Sequence, residues 1–140
     1  MPAKASAEWK GGIQTGGGTF SAGEGITGEV TFKSRFEDGP GANPEQLIAA
    51  AHASCFSMAL SAALERAGSP VESVKTDASV TLRMVDGTPT ITSIALKTTG
   101  VVPGIDQAAF EEAAQGAKAG CPVSRALAGV PEITLEATLA

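Results

Sequence analysis

Residues 43–68 read NPEQLIAAAHASCFSMALSAALERAG, and this stretch decides the fold. Asn43 suits a helix N-cap and Pro44 suits the first helical position, where its missing N–H costs nothing. Glu45 and Gln46 favour the first turn, and Glu45 also complements the helix dipole. The helix is expected to run to about Ala67 and to stop at Gly68, with Pro70 beyond. Leu47, Ile48, Phe56, Met58, Leu60 and Leu64 sit among alanines, and no charge falls between Glu45 and Glu65. A helix apolar nearly all round belongs in a protein core or in a membrane. The run approaches spanning length. His52, Ser54, Ser57, Ser61, the weak hydrophobicity of alanine and the strand-rich flanks argue against the bilayer. The alanines suggest close helix–helix approach, across a subunit interface.

Before this helix, residues 3–35 alternate small and polar side chains. Glycines at 16–18 and at 23 and 25 read as turns between strands at about 5–11, 18–22 and 27–34. The glycine run lacks the lysine-serine ending and the following helix of a phosphate loop. Residues 36–42 read as a loop. After the helix, Val74, Ala78, Val80, Leu82 and Met84 share one face of a strand over 72–85. Asp86 to Pro89 is a turn, and residues 90–102 complete an antiparallel hairpin with one buried face. Pro103-Gly104 ends it. Asp106 caps a second helix to about Lys118, with Phe110, Ala113, Ala114 and Ala117 inward and Gly120 as the stop. Cys121-Pro122-Val123-Ser124 opens a short third helix, broken at Pro131, and a last strand follows through Ile133, Leu135, Ala137 and Leu139. The order is β-β-β-α-β-β-α-α-β. It predicts an α+β domain over residues 1–140, with antiparallel sheets packed around a long buried central helix.

The 140 residues are 43% hydrophobic with a formal charge of −5, so a packed core is expected and disorder is not. The ten basic residues are dispersed, which argues against a nucleic-acid partner. The N-terminus has no apolar secretory core, so a cytoplasmic location is expected. Structural disulfides are rare there, and the two cysteines call for another explanation.

Cys55 lies midway along the apolar helix. Burial alone would raise its pKa and leave it inert, so a reactive Cys55 needs a nearby cation. Arg35 is the candidate, because it ends a strand just before the loop that enters the helix; a solvated surface charge is the plainer alternative. Cys121 occupies an N-cap position, where local physics makes it the more acidic thiol. The two are not a C-x-x-C pair, which disfavours thioredoxin-type exchange. His52 precedes Cys55 by three residues. A metal site with His52, Cys55 and a carboxylate, or a Cys–His pair, competes with a hydrogen-bonded core or interface histidine, which the composition favours. Glu45 lies ten residues, or roughly 15 Å of helical rise, from Cys55. It reaches that thiol only through Arg35 or from a partner subunit.

Residues 43–60 resemble the first cysteine helix of the OsmC/Ohr family, the osmotically inducible and organic hydroperoxide resistance proteins. Ala117-Lys118-Ala119-Gly120-Cys121-Pro122-Val123-Ser124-Arg125-Ala126-Leu127 resembles the family's second cysteine segment. Ala7 to Gly11, Ser34 to Glu37 and Val102 to Asp106 fit as well. His52, Ser57-Met58-Ala59-Leu60 and Cys-Pro-Val-Ser are more similar to the osmotically inducible branch. The resemblance implies an intertwined homodimer with active sites at the subunit interface. It also implies that Cys55 is the peroxidatic cysteine, Cys121 the resolving one, and Arg35 and Glu45 the polar pair around the thiolate. That reverses the local preference for Cys121.

The expected activity is reduction of a hydroperoxide through a Cys55 sulfenic acid and a Cys55–Cys121 disulfide. An external dithiol, such as a lipoylated protein, would reduce the disulfide, and no metal, flavin or haem cofactor is called for. Leu47, Ile48, Phe56 and Met58 are the expected apolar walls of the peroxide pocket. The rival reading is a dimeric binding module with inert buried cysteines.

Overall fold

In the computed structural model, which describes residues 1–140, β1 (Ala5–Lys10), β2 (Gly17–Ala22) and β3 (Ile26–Val30) form an antiparallel meander. Trp9 pairs with Gly18, and a side chain at Gly18 would meet the indole ring. The third strand stops earlier than its alternation suggests. Thr31 instead caps a short helix, α1 (Phe32–Phe36). The Thr31 hydroxyl accepts from Ser34 N–H at 3.0 Å, and Ser34 Oγ accepts from Thr31 N–H at 2.8 Å. This reciprocal capping box outcompetes continued strand pairing. It moves Arg35 from the expected strand end onto a helical turn and inserts one helix into the expected element order. Ser34 Oγ also donates to Ala42 O at 2.7 Å, and Asn43 Nδ2 donates to Ser34 O at 3.0 Å. These bonds fix the loop that leads to α2 (Pro44–Arg66). Asn43 Oδ1 accepts from Gln46 N–H at 2.8 Å, the cap that its sequence position predicts. Residues Met1–Gln46 are one compact unit and Leu47–Ala140 a second.

In the second unit, α2 buries one row, His52, Phe56, Leu60 and Leu64, at i, i+4 spacing. The row meets Ile94, Leu96, Val102, Phe110, Ala114 and Ala117. The helix is therefore not buried all round within the chain. Leu47 and Met58 are exposed, Met58 by 73%, because a single sheet can cover only one side of a helix. Gly68, at φ +88°, closes the helix as expected.

β4 (Ser73–Val85) and β5 (Thr88–Val101) form the antiparallel hairpin. Asp86 and Gly87 both have positive φ, the conformation that a tight two-residue hairpin loop requires. A bulge interrupts the register after Thr81, and Met84 beyond it points to solvent rather than to the core. Asp106 caps α3 (Gln107–Gly120), accepting from Ala109 N–H at 2.8 Å. Phe110 packs over Gly100, which has no room for a side chain. α4 (Pro122–Ala126) follows. β6 (Glu132–Leu139) then pairs with β5 in parallel, so this sheet is mixed rather than antiparallel. The reason is the connection: α3 and α4 carry the chain back to the start of β5, and such a helical crossover delivers a parallel strand.

Candidate active site

Two pairs of candidate side chains are assembled, one in each unit. In the first unit Arg35 Nη2 lies 2.8 Å and Nε 3.2 Å from Glu45 Oε1. The carboxylate is 8% exposed and the guanidinium 35%. The partly buried pair is thus held by two charge-assisted bonds to one oxygen. α1 sets the direction of Arg35, and the first turn of α2 sets Glu45. The Arg35 guanidinium also stands 5.5 Å from the Phe36 ring centroid. An apolar cavity of about 360 Å³ opens beside it, lined by Trp9, Ile13, Phe20, Phe32, Phe36 and Arg35 among others. The expected pocket wall Phe56 is instead fully buried in the core of the second unit, where it stacks in the row with Leu60.

In the second unit Cys55 and Cys121, 66 residues apart in sequence, place their sulfurs 2.8 Å apart. Both are free thiols. Cys121 sits in the corner between α3 and α4. Its N–H donates to Ala117 O at 2.9 Å, and its carbonyl accepts from Arg125 N–H at 3.0 Å. Pro122 supplies the fixed φ that starts α4. Cys121 is completely buried, whereas Cys55 is partly exposed.

The electrostatics of the two thiols differ. Burial pushes Cys55 up, the facing Cys121 pushes it further, and the Val123 N–H lowers it only in part. Burial also opposes charge on Cys121. There the Cys55 thiol, the N–H and hydroxyl of Ser124, and the Val123 N–H outweigh it and hold the thiol below its ordinary value. The backbone groups act by proximity, since no side-chain capping bond closes at Cys121. Either sulfur can carry the proton of the contact, and the balance favours the charge on Cys121. The local expectation of a more acidic Cys121 matches this balance.

His52 is completely buried, and its Nε2 lies 2.6 Å from Ser124 Oγ. Burial lowers its pKa, so the ring is neutral. Its Nδ1 has no partner. No group of three His, Cys, Asp or Glu side chains converges to hold a metal ion. The His52–Ser124 contact escaped the sequence reading, although each residue lies three positions from a cysteine, in His52-x-x-Cys55 and Cys121-x-x-Ser124.

An α+β chain with a mixed sheet, an apolar cysteine helix and a second cysteine in facing distance defines a class of dithiol proteins. The family model for OsmC-like proteins matches residues 37–136, and the chain belongs to that family. It is 50% identical to the peroxiredoxin OsmC of Escherichia coli over 135 residues, covering 95% of this chain and 93% of that protein. It is 36% identical to an organic hydroperoxide resistance protein of Xanthomonas axonopodis over 99 residues, covering 69% of this chain and 67% of that one. The crystal structure of the organic hydroperoxide resistance protein OhrB of Bacillus subtilis superposes with a TM-score of 0.75 at 25% identity, covering 100% of this chain and 98% of that one.

Proposed function

We propose that the protein is a two-cysteine peroxidase that reduces organic hydroperoxides, and hydrogen peroxide as well, in oxidative and osmotic stress defence in the cytoplasm. Its relatives named peroxiredoxin OsmC and organic hydroperoxide resistance protein support the reaction class. The observation that carries the mechanism is the 2.8 Å contact between one accessible and one buried sulfur.

Cys55 is partly exposed and Cys121 is buried, which supports Cys55 as the attacking thiol. Cys55 gives up its proton through its exposed side. The Cys55 thiolate attacks the terminal peroxide oxygen, the O–O bond breaks, and the departing alkoxide takes a proton to become an alcohol. The family resemblance supports the Arg35–Glu45 pair as the cation that favours the Cys55 thiolate and the developing alkoxide. Cys121 then loses its proton and attacks the Cys55 sulfenic acid; the S–O bond breaks, and the departing hydroxide is protonated to water. The resulting disulfide is returned to two thiols by an external dithiol, such as a lipoylated protein. The cavity beside Arg35 suits the organic group of the substrate, because its walls are aromatic and aliphatic.

The working unit is a homodimer. Support comes from the open face of α2, where Leu47, Ala50, Ala51, Ser54 and Met58 form an exposed, uncharged stripe at helical spacing. A second copy presenting the same stripe would cover it. The test is turnover of an organic hydroperoxide with a dithiol reductant. Cys55→Ser should abolish it, and retained turnover in that variant would sink the assignment.

A further inference from the structure

Outside the two cysteines, the second unit contains one buried titratable group that the cycle above does not use. His52 projects from α2 one turn before Cys55, and Ser124 lies on α4 one turn after Cys121. The 2.6 Å bond between them therefore runs beside the 2.8 Å contact between the sulfurs. Two rungs thus join α2 to the start of α4: His52 and Cys55 are three residues apart on α2, and Cys121, which caps α4, is three before Ser124. We propose that His52 and Ser124 are a positioning pair for the resolving step: their bond holds α4 against α2 and aims the Ser124 hydroxyl proton at the Cys121 sulfur.

The hydrogen-bond inventory gives the direction. A serine hydroxyl has one proton. If that proton points at Cys121, the imidazole must donate from Nε2, and Nδ1 then carries only a lone pair. That assignment fits the unpartnered Nδ1, because a buried unmet acceptor is better tolerated than a buried unmet N–H. The neutral, buried imidazole is a fixed donor, Ser124 passes the polarisation on, and the Cys121 thiolate is the final acceptor. The favourable influence of the Ser124 hydroxyl on the charged form of Cys121 points the same way. Neither residue touches the peroxide. Their effect should fall on disulfide closure and not on the first attack. The inference rests on the peroxidase reading and deepens it.

Rapid mixing with one equivalent of an organic hydroperoxide, with acid-quenched samples weighed by mass spectrometry, separates sulfenic acid formation from disulfide closure. In the unaltered protein both species should appear in sequence. In Ser124→Ala and in His52→Leu, sulfenic acid should form at an unchanged rate while closure slows by about tenfold or more, the loss expected for one hydrogen bond to a charged sulfur. Ser124→Thr keeps the hydroxyl and should restore closure, which a purely space-filling role would not predict. If Ser124→Ala closes its disulfide as fast as the unaltered protein, the positioning role is refuted while the peroxidase reading stands. If the unaltered protein forms neither species, the peroxidase reading falls and takes the pair's role with it. Should His52→Leu fail to fold, the Ser124 variants decide alone.

Discussion

Replacing each cysteine by serine separates accessibility from acidity, which the site sets against one another. Acidity favours Cys121 and accessibility favours Cys55. For a peroxide to reach Cys121, the corner between α3 and α4 must open. Opening breaks the bond from Cys121 N–H to Ala117 O, the bond from Arg125 N–H to Cys121 O, and the His52–Ser124 bond. At about 1 kcal/mol net for each, opening costs about 3 kcal/mol, or roughly a hundredfold in the accessible population. A thiolate advantage at Cys121 recovers only part of this, since the charge is stabilised by the same contacts that opening destroys. Cys121→Ser should therefore consume one equivalent of peroxide at Cys55 and stop at the sulfenic acid. Given a single dose, Cys55→Ser should consume peroxide about a hundredfold more slowly and, unable to form the disulfide, should not turn over. The assay is loss of an organic hydroperoxide at equimolar protein, with the oxidised residue located by mass spectrometry. Equal rates in the two variants would refute the reasoning, and a faster Cys55→Ser would exchange the roles of the two residues.

Leu60→Ala, at a fully buried site, should cost about 2–5 kcal/mol in chemical denaturation. Thr31→Ala removes the capping box and should cost about 1 kcal/mol, with turnover falling too because α1 carries Arg35. Met58→Lys charges the exposed stripe of α2 and should shift the sedimentation of a dimer to that of a monomer without changing the monomer's circular dichroism. His52 has a folded pKa below the ordinary 6.5. Below that ordinary value the unfolded chain binds a proton that the folded one does not, so stability falls as pH drops through about 6.5, by at most about 1.4 kcal/mol per pH unit. Denaturant midpoints at several pH values should show this slope, and His52→Leu should remove its share.

The sequence made α2 legible because its ends are chemically marked: Asn43 and Pro44 begin it and Gly68 ends it. The hairpin was legible for a similar reason, with Asp86-Gly87 between two alternating runs. The direction of β6 was not legible, since alternation along a strand is the same whether its neighbour runs parallel or antiparallel. α1 was missed because five residues are too few for periodicity; Thr31-x-x-Ser34 was its one signal. All-round apolarity also overstated the burial of α2 within the chain, because the face turned away from the sheet is uncharged too. Arg35 and Glu45 form an ion pair, which a long arginine near a first-turn carboxylate allows. The proximity of Cys55 and Cys121 came from motif resemblance, because no local rule relates positions 66 residues apart. His52–Ser124 was hidden for the same reason.

The parallel pairing of β6 with β5 has a consequence for turnover. Cys121 lies in the segment that connects these two strands, and that segment is anchored at opposite ends of one ladder, after Val101 and before Glu132, which faces Ser93. In the proposed cycle the resolving thiol thus hangs on a tether held at both ends by one sheet. Such a tether would raise the effective concentration of Cys121 at Cys55. If the cycle runs as proposed, loosening the β5–β6 ladder should lengthen the exposure of a Cys55 sulfenic acid to over-oxidation by a second peroxide.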